Sequence, residues 1–152
     1  MAKEKAMSGI IVGVDGSGHS QRALEWAMKE AAIRHVPLTV LTVHEAIRGY
    51  FSGVAVYPDD LTRTEQARAA AQAETDKVLA ALDGPRPDSV TVKAVHGFPV
   101  EELVNAGKDA NMIVLGSRGA GGFARLMMGS VSSQVAHHAH CPVLIVPPED
   151  HG

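Results

Sequence analysis

Short apolar runs alternate with longer amphipathic stretches along this chain. Ile10-Ile11-Val12-Gly13-Val14 is a compact β-branched run suited to a strand buried on both faces. Asp15-Gly16-Ser17-Gly18 breaks it with turn chemistry. Ser17 or Ser20 is placed to cap a helix over 21–34, where Ala23, Leu24, Ala27 and Ala31 recur at helical spacing around Trp26. Pro37 stops that helix, and 38–43 reads as a second strand. A long loop over 45–58 follows, carrying Gly49, Tyr50, Phe51, Gly53 and Tyr57. Strong helix formers then fill 60–83, and Gly84-Pro85 ends them.

The remainder repeats the alternation. A third strand is predicted over 90–95. Pro99 opens a short helix through Ala106, with Gly107 as its cap. A fourth strand over 112–115 runs into a glycine-rich loop from Gly116 to Gly129. A short helix over 131–138 and a fifth strand over 143–146, after Pro142, complete the pattern. Alternating strands and helices predict a parallel sheet with helices on both faces. Such sheets bind ligands beyond the carboxyl ends of strands, where the strand order reverses. The loops after the first and fourth strands carry the unusual glycine density, which places a site there.

Composition narrows the class. The chain has 152 residues, 45% hydrophobic and 20% charged, enough for a single domain over 1–152 with a core at about 9–147. The net charge of −3 gives no sign of a nucleic-acid or membrane surface. The lone Cys141 allows no internal disulfide, and no signal-like or spanning segment is evident, so a cytoplasmic setting is expected.

The candidate chemistry sits in Gly116-Ser117-Arg118-Gly119-Ala120-Gly121-Gly122 and in Gly129-Ser130, read as opening the last helix. Glycines let backbone N–H groups approach a ligand, and a helix start favours an anion. Together they describe a phosphate cradle built from main chain. Ser117, Ser130 and Ser132 offer hydroxyls, and Arg118 and Arg125 offer charge or are solvated loop cations. No lysine beside Gly129 makes this a P-loop. Asp15 suits a ribose hydroxyl or Mg²⁺, and suits equally a helix-capping turn. His137, His138, His140 and Cys141 offer no credible metal site from their spacing, so no metal is expected from the protein alone.

The spacing Gly116-x2-Gly119-x9-Gly129-Ser130 resembles the signature of ATP-binding universal stress proteins. Ile11-Val12-Gly13-Val14-Asp15-Gly16-Ser17 is similar to that family's opening, and Ala139-His140-Cys141-Pro142-Val143-Leu144-Ile145-Val146 to its close. The resemblance covers nearly the whole chain. It implies a Rossmann-like fold of the adenine nucleotide α-hydrolase type, with five parallel strands in the order 3-2-1-4-5. It implies ATP, with Mg²⁺ near Asp15 and Ser130, in the crevice between the first and fourth strands. Gly13 and Asp15 would line the nucleotide and Val43 would meet adenine through its backbone. Gly116, Ser117, Arg118, Gly119, Ala120, Gly121 and Gly122 would surround ribose and phosphates. Gly129, Ser130, Val131 and Ser132 would hold the phosphate chain. The last strand, Val143, Leu144, Ile145 and Val146, would pair with its twin in a homodimer. Three functional readings stand side by side: a nucleotide-controlled regulatory module in the stress response with slow or no hydrolysis, an enzyme using ATP (ATPase or adenylating), and a nucleotide-free interaction module. No catalytic residue is assigned.

Overall fold

The computed structural model describes residues 9–16, 18–48, 54–55, 57–117 and 124–148. Strands β1 (Ile10–Val14), β2 (Leu38–Glu45), β5 (Val90–Gly97), β6 (Met112–Gly116) and β7 (Val143–Val146) form one sheet in the order β5-β2-β1-β6-β7. All four pairings are parallel. In sequence order of these five strands this is 3-2-1-4-5, the expected topology. Two-residue strands β3 (Ile47–Arg48) and β4 (Val54–Ala55) make an antiparallel ribbon within the stretch expected to be loop.

The apolar alternation decides which helices cover which face. Ile10, Val12 and Val14 of β1 and Leu38 and Val40 of β2 pack with helices α1 (Gln21–Arg34) and α2 (Asp60–Ala81), through Leu24, Ala27, Met28, Ala71 and Val78. Ile11, Leu41, Ile113 and Leu115 face the other way. They meet Leu103 of α3 (Pro99–Ala106) and Val135 of α4 (Ala124–His138). A strand covered on both faces needs an unbroken apolar run, and all five residues of β1 are buried.

Helix ends show where local signals hold and where packing overrides them. His35 takes a left-handed conformation at φ 55°, and the Val36 N–H bonds the Ala31 carbonyl at 3.1 Å. This closes α1 two residues before Pro37. Ser20 stands at the start of α1 but makes no side-chain cap. Its hydroxyl donates instead to Glu74 Oε1 at 3.3 Å, tying α1 to α2. Gly107 is not a left-handed cap either, having φ −84°. A Cβ there would collide with Ile113, so close packing explains the glycine. The largest departure is α4. It starts at Ala124, not 131, because Ala124-Arg125-Leu126-Met127-Met128 are strong helix formers. Gly129 and Ser130 therefore lie inside the helix and do not open it.

Candidate functional site

The strand order reverses between β1 and β6, and there the sheet opens. Their ladder pairs Ile10 with Met112, Ile11 with Ile113 and Val12 with Val114, then stops. Each strand continues two residues further, to Val14 and Gly116. On its other side β1 stays paired with β2 up to Val14 and Thr42. β6 stays paired with β7 up to Gly116 and Val146. Both strands are thus held from outside while their facing edges part. This is the crevice that parallel sheets offer to a ligand.

The predicted residues distribute around that opening. Asp15 directly follows β1 and is exposed. Gly16 after it has φ +80°, a conformation glycine adopts without strain. Val43 lies one step beyond the last β1–β2 pair, Val14–Thr42, so β1 no longer covers that edge of β2. On the far side β2 remains paired with β5 as far as Glu45 and Gly97. Gly13 is buried, and a Cβ added there would lie 2.7 Å from Leu115 Cδ2 and 3.1 Å from Leu103 Cδ2. Its missing side chain is what lets α3 settle on β1.

Gly116 ends β6 and is buried. The Ser117 N–H is committed to the Val146 carbonyl at 3.0 Å, which leaves that residue's hydroxyl, not its amide, to meet a ligand. Arg118, Gly119, Ala120, Gly121 and Gly122 lie outside the described residues. Within α4, Ser130 is exposed and accepts from Gln134 Nε2 at 2.9 Å. Val131 is half-buried, while Ser132 is buried and faces the interior.

Ser130 and Val131 also line a cavity of about 720 Å³ on the α3–α4 face of the sheet, with Glu45, Phe98, Val104 and His138 among its other walls. That is within the range of small-ligand and cofactor sites. Sequence reasoning did not bring the start of α3 to the site, although Phe98-Pro99 marks a helix start pointing to the carboxyl end of the sheet.

Two titratable groups are shifted by burial, Glu74 near Asp15 and Cys141 at the opposite, amino end of the sheet. Burial raises the Glu74 carboxyl, its bond from Ser20 opposes this, and the nearby Asp15 charge raises it further. Burial likewise pushes the Cys141 thiol up, against a lowering backbone hydrogen bond from Ile113. Cys141 packs partly buried against the core formed by Ile11, Leu103, Ile113 and Val135. Among the described residues, no helix is long and apolar enough to cross a membrane.

An open parallel sheet, parted at its switch point and covered by helices on both faces, defines a Rossmann-like α/β domain. The chain matches the model of the universal stress protein family over residues 7–147 and belongs to that family. It is 34% identical over 152 residues to the universal stress protein Rv2005c of Mycobacterium tuberculosis, covering 99% of this chain and 51% of that protein. It is 35% identical over 155 residues to Rv2623 of the same organism, at 99% and 51% coverage. The chain spans about half the length of the curated relatives it matches. Among solved structures, a universal stress protein in complex with cAMP superposes with a TM-score of 0.63 at 25% identity, covering 94% of this chain and 98% of that one. The universal stress protein from Archaeoglobus fulgidus in complex with dAMP gives 0.60 at 25% identity, covering 93% and 99%.

Proposed function

We propose that this chain binds ATP with Mg²⁺ in the crevice between β1 and β6 and acts as a nucleotide-controlled regulatory module of the cytoplasm, with slow or no hydrolysis. The observation that carries the reading is the β1–β6 ladder ending at Val12 and Val114 while both strands run on. A Rossmann-like sheet that parts there offers a nucleotide its backbone edges. Two solved relatives, in complex with cAMP and with dAMP, support an adenine nucleotide as the ligand class.

The residues present fit such a ligand. Val43 offers adenine a strand edge that β1 has left. Asp15 and the Ser130 hydroxyl are exposed and would meet the ribose or Mg²⁺. Gly116 and Ser117 begin the loop that, with Arg118 to Gly122, would surround the ribose and phosphates. Val131 would close the site from α4. For Gly129 and Ser130 to give backbone N–H groups to phosphate, the preceding residues 124–128 must unwind, since those N–H groups are inside α4. Glycine within a helix is the residue that gives way at least cost, about 1 kcal/mol relative to alanine. Ser132 is buried in the described geometry and would join only in such a rearrangement.

No positioned base or second-substrate group emerges among the described residues at the crevice, and phosphoryl transfer needs both charge and an oriented nucleophile. A regulatory role fits that better than a dedicated ATPase. The edge strand β7 has a neighbour, β6, on one side only. Its partly exposed Val143, Leu144 and Ile145, with Val146, would pair with a second copy. The direct test denatures freshly purified protein, identifies any released small molecule by mass spectrometry, and follows with ATP–Mg²⁺ calorimetry. Adenine nucleotide found in either assay supports the reading. Its absence from both overturns it and leaves a nucleotide-free interaction domain.

A further inference from the structure

On the opposite face of the sheet from the α3–α4 cavity, three side chains from distant parts of the sequence converge. His44 and His96 are register partners on the adjacent parallel strands β2 and β5. Register partners point to the same face, so the two rings stack, with centroids 5.2 Å apart and planes at 28°. Above them stands Asp60, the first residue of α2. Its Oδ1 lies 3.0 Å from His44 Nε2 and its Oδ2 lies 3.5 Å from His96 Nε2. The three ligand-capable atoms all lie within 4.8 Å of one another. Their side chains are only 23%, 18% and 10% exposed for His44, His96 and Asp60.

We propose that His44, His96 and Asp60 form a binding site for a divalent transition-metal ion of the zinc class. Two imidazole nitrogens and one carboxylate oxygen are a donor set that suits Zn²⁺ and its neighbours, with a fourth position left for water or another ligand. Ligand atoms roughly 2.0–2.2 Å from a tetrahedral zinc lie about 3.3–3.6 Å from one another. The two His–Asp separations, 3.0 Å to Oδ1 and 3.5 Å to Oδ2, are close to that spacing.

The alternative is a purely hydrogen-bonded triad: the His44 Nε2–Asp60 Oδ1 contact of 3.0 Å suits it, and the His96 contact does not. Asp60 Oδ2 already accepts the Tyr57 N–H at 2.6 Å. The His96 contact of 3.5 Å to that same oxygen is too long for a good hydrogen bond. Space exists beside the cluster: a cavity of about 230 Å³ is lined by His44, His96, Asp60, Glu45, Asp59 and Arg63, together with Tyr57. Arg63 does not forbid a cation, because Asp59 engages its guanidinium at 2.7 Å. A bound ion would pin the first turn of α2 to the ends of β2 and β5.

The test titrates chelator-treated protein with ZnCl₂ by calorimetry and with CoCl₂ by visible absorption. One ion per chain is expected, with a raised Tm and cobalt d–d bands of nitrogen and oxygen ligation. His44→Ala, His96→Ala and Asp60→Asn should each weaken binding at least about 10-fold. Cys141→Ser and the His137→Ala/His138→Ala pair should bind as the parent does. Absence of binding overturns the proposal, as does binding that survives the His44→Ala/His96→Ala pair or that shows thiolate-to-cobalt charge transfer. Should circular dichroism show those variants unfolded, the ring ¹⁵N resonances of the parent protein decide. Zinc moves those of His44 and His96 if the site is real, and leaves both unmoved if it is not.

Discussion

Val12 and Val114 are the last residues paired between β1 and β6, although β1 runs on to Val14 and β6 to Gly116. Immediately past that pair, Gly13 lies under the Leu115 and Leu103 methyl groups. The parting of the strands and the glycine belong together, since a side chain at 13 would occupy the space that seats α3.

Gly13→Ala should therefore destabilise the fold. Its Cβ would come 2.7 Å from Leu115 Cδ2 and 3.1 Å from Leu103 Cδ2, and Leu115 is fully buried. Overpacking of this kind costs about 1–3 kcal/mol. Urea denaturation should show a lower midpoint at an unchanged slope. A midpoint equal to that of the parent would mean that the α3 contact is not tight.

Asp15→Asn separates a metal-holding role from a turn-forming one. Asparagine keeps the turn chemistry and removes the charge. Affinity for ATP should fall about 10-fold or more with Mg²⁺ present, in line with loss of a charged contact. It should change little with Mg²⁺ chelated. An equal effect under both conditions would place Asp15 on the ribose and not on the metal.

The folded state holds the Glu74 carboxyl above its ordinary value, chiefly through burial, with the nearby Asp15 charge adding to this. A raised carboxyl means that the native state binds its proton more tightly than the unfolded chain does. Its favourable contribution is complete below the ordinary carboxylate range and is lost as pH rises through the raised value. Glu74→Gln retains an acceptor for the Ser20 hydroxyl and removes the charge. At pH 7–8 it should raise stability by about 1 kcal/mol or less. The gain should vanish toward pH 4. A gain that grows on acidification would contradict the sign of this shift.

Much of the fold was legible in the sequence because its punctuation is strong. Helix α1 at 21–34, α3 at 99–106 and β7 at 143–146 carry the expected bounds. Pro99 and Pro142 mark two of these, and the left-handed His35 shortly before Pro37 closes the third. The β3–β4 ribbon was not legible, since two-residue strands carry no periodicity. The early start of α4 was missed because the glycines around it read as loop, whereas 124–128 are helix formers. Ser20 and Gly107 looked like caps by type, but each answers to a distant residue, Glu74 and Ile113. The His44–His96–Asp60 cluster was hidden for the same reason. Its members meet through sheet register and the placement of α2, which local spacing does not encode. The 3-2-1-4-5 order is the signal that sets their strands side by side, but the strands expected over 38–43 and 90–95 stop short of His44 and His96, each the seventh residue of its strand.

Gly129→Ala tests whether α4 must open for phosphate. Alanine should stabilise the helix by about 0.5–1 kcal/mol. If nucleotide binding requires residues 124–128 to unwind, the same change should weaken ATP binding and slow amide exchange across 124–130. A stabilised variant with unaltered ATP affinity would show that Gly129 serves only the helix.

The central claim, an adenine nucleotide in the β1–β6 crevice, is tested most directly by calorimetric titration of the chain with ATP and Mg²⁺. The prediction is one nucleotide bound per chain, with affinity reduced when Gly116 is replaced by valine in a variant that circular dichroism shows to be folded. No heat of binding, or equal affinity in that variant, would contradict it.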